Sequence, residues 1–221
     1  MNPEPTPITI VGAGRTGSWL TILLAREGYA PLTVYDGDVV GPENVTQAYW
    51  PSHVGRLKVE ALAEVLRQTS GVDLTVETRA FTAHDSPRGI VIAAVDSMEQ
   101  RQVIWNQVKH NLSVPLFIDT RVGGPVGMIY TINPIDPLEV DYYETRFYPD
   151  EQAADFRCSE GRMIHNLWNI GVHVSCQLKS FLGGEPCAQE ILFDLKTNTL
   201  VFRDHRGRVL ARLHNTVGGL S

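Results

Sequence analysis

Cysteine is scarce in this chain of 221 residues. Cys158, Cys176 and Cys187 stand far apart, and no two form a CxxC pair. A four-cysteine zinc site is thereby excluded within the chain, and a small odd count points to free thiols in a reducing compartment. Long hydrophobic runs are missing too: no stretch approaches the roughly 20 apolar residues that a membrane-spanning helix needs. Residues 1–7 are polar and carry two prolines besides Pro3, with no basic segment leading into an apolar one. No signal peptide is expected, and the cytoplasm is the expected location. Excess positive charge is absent. With a formal net charge of −6, the chain has no electrostatic reason to seek nucleic acid or an anionic membrane. Internal repeats and low-complexity tracts are likewise lacking. What remains is ordinary: 43% hydrophobic and 20% charged residues, enough apolar surface to build a core.

The hydrophobic pattern alternates between strand and helix. Ile8–Val11 is a short apolar run that reads as a buried parallel strand. Residues 18–27 place Trp19, Leu20, Leu23 and Leu24 at helical spacing before Gly28 stops them. Leu32–Tyr35 reads as a second strand. Residues 56–68 read as a helix with Leu57, Ala61, Leu62 and Leu66 on one face, and residues 72–79, 90–95, 114–118 and 127–132 as further strands. Residues 98–110 read as a helix. Repeated βαβ units imply an α/β, Rossmann-like, mostly parallel sheet with helices on both faces. The pattern fails over residues 133–158, where Pro134, Pro137 and Pro149 suggest an irregular crossover. Residues 163–182 read as a buried helix, apolar on most sides, with Cys176 in the core. Residues 190–195 and 199–202 suit a C-terminal antiparallel hairpin, to which residues 209–213 would add a third strand. One domain over residues 1–221 is expected, with a Rossmann-like core over 1–132, the crossover, and the buried helix and antiparallel strands over 159–221.

Gly12-Ala13-Gly14-Arg15-Thr16-Gly17 is a GxGxxG that follows a strand and opens a helix. There Gly12 permits a tight turn, Gly14 lets backbone amides approach phosphates, and Gly17 allows close helix–strand packing. A glycine-rich turn kept for packing alone is the bland alternative. Asp36 ends the second strand, where an acid hydrogen-bonds ribose hydroxyls. To this point a nicotinamide-dependent oxidoreductase fits equally well.

The next residues separate the cases. Asp36-Gly37-Asp38-Val39-Val40 is a D-x-D-x-V element; Asn44 follows, then Val54-Gly55-Arg56-Leu57-Lys58. In order and spacing these resemble the ThiF/MoeB/HesA family and the adenylation domain of ubiquitin-activating enzymes. The resemblance implies ATP and Mg²⁺ as cofactors and adenylation of a carboxylate as the reaction. Charge developing on phosphate oxygens calls for surrounding cations and a metal. On the resemblance, Lys58 is a phosphate cation, Asn44 a polar donor to the nucleotide, and Asp96 the catalytic aspartate that holds Mg²⁺. A plain helix N-cap is the alternative for Asp96. Arg101 matches the family's D-N-x-x-x-R apart from Ser97, in a structural or phosphate-side role. Arg157-Cys158-Ser159-Glu160-Gly161 resembles the family's T-C-x-E-x-G-V, which makes Cys158 a candidate acceptor of the activated acyl group. Asp119 and Arg121 read as a local ion pair, or as the lining of a substrate-tail entrance.

The chain departs from the pattern in four ways. Gln47 replaces the arginine of N-x-x-R-Q, without its charge or fork. The family's N-terminal R-Y-x-R-Q helix and paired CxxC ligands are missing, and the chain is short. The short form is similar to plasmid- and phage-associated ThiF-like proteins. The resemblance implies a small ubiquitin-like, β-grasp or sulfur-carrier protein as partner, and a homodimer. Two rivals stay open: a non-catalytic nucleotide- or partner-binding scaffold, and an NAD-dependent oxidoreductase.

Overall fold

Nine strands pair into one sheet in the computed structural model, which describes residues 6–45, 48–149 and 164–214. The five N-terminal strands are β1 (Ile8–Val11), β2 (Leu32–Tyr35), β3 (Leu74–Glu77), β4 (Ile90–Ala93) and β5 (Leu116–Gly123). They lie parallel in the order β3-β2-β1-β4-β5. Such strands are covered on both faces, so β4 is apolar at every position, β1 at all but Thr9, and both are buried along their whole length. The chain winds outward from β1 through β2 to β3, then returns to place β4 on the other side of β1, in register at Ile8↔Ile90. Connections therefore leave β1 and β4 in opposite directions, and a crevice opens at their carboxyl ends. β6 (Val126–Ile132), β7 (Glu190–Asp194), β8 (Thr199–Arg203) and β9 (Val209–His214) extend the sheet antiparallel to its far edge.

Helices cover both faces. α1 (Arg15–Arg26), α2 (Lys58–Thr69) and α5 (Ile164–Leu182) pack on one side, where Leu20, Leu24, Leu62, Leu66, Ile170 and Val174 meet the sheet. α3 (Met98–Val108) and α4 (Pro137–Glu144) pack on the other, around Trp105, Phe117 and Tyr143. α1 and α5 approach closely at Gly171, where a Cβ would stand 2.9 Å from Leu23. No helix among the described residues is long and apolar enough to cross a membrane.

Two expectations need correction. The segment after β6 is not wholly irregular, because residues 137–144 form α4. Asp136 accepts hydrogen bonds from the amides of Leu138 and Glu139, and Pro137 occupies the first helical position. There its missing N–H costs nothing, so the proline starts a helix rather than breaking one. Nor is α5 buried all round. Trp168 is 53% and Val172 54% exposed, and Cys176, one turn on, is exposed rather than in the core. The apolar face of α5 is wider than the sheet surface available to cover it, and Cys176 falls on the uncovered stripe.

Candidate active site

The glycine loop is shaped by contacts that leave no room for side chains. Gly12 has φ of +102°, and a Cβ on it would stand 2.5 Å from the carbonyl oxygen of Ala94. The ends of β1 and β4 thus touch backbone to backbone. A Cβ on Gly17 would stand 1.9 Å from the Gly12 carbonyl oxygen, so only glycine lets α1 begin this close to the strand. Gly14 is different: no atom lies within 4 Å of where its Cβ would be. Two glycines serve packing, and the third borders open space at a helix N-terminus, the place where anions are stabilised.

Asp36 is drawn into this loop. Its Oδ2 accepts from the Ala13 amide at 2.7 Å and its Oδ1 from the Asp38 amide at 2.8 Å. Tyr49 holds the same residue from the other side, its hydroxyl donating to the Ala13 carbonyl at 2.5 Å. Burial, then the nearby Asp36 charge, pushes the Tyr49 pKa up, with a hydrogen bond involving Ser18 working against both. The hydroxyl therefore remains a donor.

The two separated motifs are brought together by a backbone clasp. Val40 and Arg56 pair through Val40 N–H (2.8 Å), and Gly55 N–H returns to the Val40 carbonyl (2.9 Å). A bridge joins Val39 to Leu57. The clasp sets Lys58 Nζ 2.8 Å from Asp38 Oδ2, at the first turn of α2. Asn44 ends a short 3₁₀ turn, and its Oδ1 accepts from the Gly41 amide at 2.8 Å. Gln47 lies outside the described residues.

Asp96 follows β4 at the carboxyl edge and is exposed. Helix α3 is capped by Ser97, whose hydroxyl accepts from the Gln100 amide at 3.2 Å. The capping duty that competed for Asp96 is thus discharged by its neighbour. Among the described residues the Asp96 carboxylate has no hydrogen bond or ion pair. A hard, exposed carboxylate oxygen fits Mg²⁺, which is bound through one or two carboxylates together with substrate phosphates. Among the described residues no cluster of three or more His, Cys, Asp or Glu side chains is placed to hold a metal unaided.

Arg101 turns inward. It is 4% exposed; Nη1 donates to Asp119 and Nη2 to the Val95 carbonyl. Asp119 is fully buried and also accepts from Arg121 Nε (2.7 Å) and the Tyr143 hydroxyl (3.0 Å). Burial alone would raise the Asp119 pKa, but Arg101 and Arg121 outweigh it and hold the carboxyl below its ordinary value. The local pair read from the sequence is therefore a triad. Arg121 also donates to the Arg146 carbonyl (2.7 Å) and stacks on the Tyr130 ring at 4.6 Å. Nearby, Met98, Glu99 and Gln102 of α3 face Phe147, Tyr148 and Pro149 across a cleft of about 390 Å³. Cys158 lies outside the described residues.

The structure thus groups the glycine loop, Asp36, Asp38, Lys58 and Asp96 at one end of the parallel strands, and turns Arg101 away from it. Tyr49 carries no sequence signal of its role: it follows a polar loop and belongs to no periodic element.

A family model described as ThiF family matches residues 5–198. A tRNA threonylcarbamoyladenosine dehydratase of Escherichia coli strain K12 is 28% identical over 160 residues, covering 68% of this chain and 56% of the relative. The fold is similar to crystal structures of E. coli MccB. With MccA the TM-score is 0.71 at 14% identity, covering 92% of this chain and 64% of MccB. With ATP it is 0.66 at 15% identity, covering 93% and 65%. The chain spans less than two-thirds of each of these proteins, and at such identity the structural likeness concerns the fold alone.

Proposed function

The chain belongs to the ThiF family, and on that premise we propose that it uses ATP to adenylate the C-terminal carboxylate of a small ubiquitin-like or sulfur-carrier protein, releasing pyrophosphate. The observation that carries this reading is the exposed carboxylate of Asp96 at the carboxyl edge of β4, where the preceding residues Ala94 and Val95 lie against Gly12 of the glycine loop.

The residues divide the work as follows. Amides at the start of α1 receive phosphate oxygens, and the opening beside Gly14 gives them room. Asp36 holds the loop in shape while its remaining lone pairs face the ribose. Lys58 waits on Asp38 and exchanges that exposed partner for a phosphate; Asn44, whose Oδ1 accepts from Gly41, keeps its amide nitrogen as a donor to the nucleotide. Mg²⁺, held by Asp96, supplies charge neutralisation on the phosphates. Arg101 fixes the turn after β4 through the Val95 carbonyl, a positioning role. The acyl tail enters along the cleft between α3 and Phe147–Tyr148–Pro149. The carboxylate oxygen attacks the α-phosphorus and the bond to the pyrophosphate oxygen breaks, leaving the acyl adenylate.

Support for a protein partner comes from MccB, whose structure with MccA shares this fold. Support for a homodimer comes from the exposed Trp168 and Val172 of α5. Transfer of the acyl group to Cys158 rests on sequence resemblance alone, and a thioester on wild type but not on Cys158→Ser, read by mass spectrometry, would establish it.

ATP–pyrophosphate exchange with candidate ubiquitin-like proteins tests the proposal. Asp96→Ala should abolish exchange without lowering Tm, since the exposed carboxylate supports no described contact. Undiminished exchange in this variant removes Asp96 from the reaction. A wild type that binds ATP but exchanges with no carboxylate partner favours the non-catalytic scaffold, and tight NAD uptake without ATP uptake the oxidoreductase.

A further inference from the structure

In the glycine loop, Ala13 has both its N–H and its carbonyl fixed by side chains from elsewhere. Asp36 takes its N–H at 2.7 Å and Tyr49 its carbonyl at 2.5 Å. The partners lie 23 residues downstream, at the end of β2, and 36 residues downstream, beyond the 3₁₀ turn that holds Asn44. A trans peptide points its C=O and the following N–H in opposite directions. Anchoring the Ala13 oxygen on the buried side therefore turns the Gly14 N–H away from Tyr49. Among the described residues the Gly14 amide has no acceptor, and the space about its Cα is open.

We propose that Tyr49 is a positioning residue for nucleotide binding: its hydroxyl sets the Ala13–Gly14 peptide so that the Gly14 N–H is presented to a phosphate oxygen of ATP. The inference rests on the adenylation reading for the identity of the ligand. Tyr49 is 2% exposed, and its ring packs with the core against α1 and α2. A phenylalanine would keep that packing and remove only the hydroxyl. Without the hydroxyl, the Ala13 carbonyl loses its buried donor, and the peptide is free to rotate toward the solvent, taking the Gly14 N–H with it. Adenosine carries no phosphate, so its binding does not draw on this peptide.

The experiment compares ATP and adenosine, each with magnesium, on wild type and Tyr49→Phe by isothermal titration calorimetry. ATP should weaken about tenfold in the variant, the usual worth of one charge-assisted hydrogen bond, so that the ratio of ATP to adenosine affinity falls about tenfold. Equal ATP affinity in the two proteins overturns the proposal. So does a parallel loss of both ligands, which would make Tyr49 a packing residue only. A second measurement needs no variant: in the ¹⁵N-labelled wild type, the Gly14 amide should shift strongly on addition of ATP and little on addition of adenosine. An unmoved Gly14 amide in a protein that binds ATP overturns the proposal while leaving the adenylation reading intact. A wild type that takes up no ATP overturns both.

Discussion

Asp119→Asn isolates the central electrostatic element of the far side of the site. The native carboxylate is fully buried and accepts from two guanidinium groups, Arg101 and Arg121, that are themselves 4% and 5% exposed. Asparagine keeps one oxygen, enough for one arginine. Its NH₂ group then faces the other arginine donor to donor, and two like charges share a site without a counter-ion. Removing one partner of a buried ion pair costs about 3–5 kcal/mol. For a chain of this size each kcal/mol lowers Tm by roughly 2–4 °C, so the expected fall is about 6–20 °C. Urea unfolding and calorimetry at neutral pH read it directly. The sign with pH follows from the depressed folded-state pKa. The stabilisation is fully present above the unfolded-state value of about 3.9 and is lost as pH falls through the lower folded value. The difference between wild type and Asp119→Asn should therefore be constant from neutrality down to about pH 4 and shrink below it. The apolar triple variant Asp119→Leu, Arg101→Met, Arg121→Met should recover most of the loss, because desolvation is then no longer opposed. A loss under about 1 kcal/mol for Asp119→Asn, the level of an exposed pair, would refute the buried-triad account.

Three further outcomes follow from the geometry. Gly14→Ala should leave Tm nearly unchanged, since its Cβ meets open space, yet weaken ATP binding measured by calorimetry; Gly17→Ala should lower Tm sharply, because its Cβ would overlap the Gly12 carbonyl. Lys58→Met should reduce pyrophosphate exchange by about a hundredfold, as loss of a phosphate cation does, while costing no more than about 1 kcal/mol in denaturant titration, since its partner Asp38 is exposed. On the monomeric form isolated by size-exclusion chromatography, mass mapping should find Cys176 alkylated faster than Cys187, because Cys176 is exposed on the α5 face whereas burial, then the Glu139 charge, raises the Cys187 pKa and withholds its thiolate.

Much of the fold was legible in the sequence because local chemistry decides it. Short, mostly apolar runs rich in β-branched residues, such as Ile8–Val11 and Ile90–Ala93, suit strands buried on both faces, and each became one. GxGxxG between a strand and a helix announced the loop, and the spacing of Asp38, Asn44 and Lys58 announced the family. What the sequence obscured were cases where one residue type serves two purposes. Pro137 looked like a breaker and proved to be a helix start; Asp96 looked able to cap α3, until Ser97 was seen to do so. Cys176 sat among apolar neighbours, yet which stripe of α5 meets the sheet depends on how α1 and the sheet lie beneath it.

The sequence by itself determined the elements, the phosphate loop and the family, since periodicity, glycine placement and motif spacing are properties of neighbours along the chain. Tertiary structure alone decided that Lys58 reaches Asp38, that Arg101 turns inward to Asp119, and that Tyr49 grips Ala13. Those pairs are 18 to 36 residues apart. Hydrogen bonds and ion pairs act over a few ångströms in space, whatever the separation in sequence, so their partners are fixed only when the sheet assembles and brings distant loops to one edge.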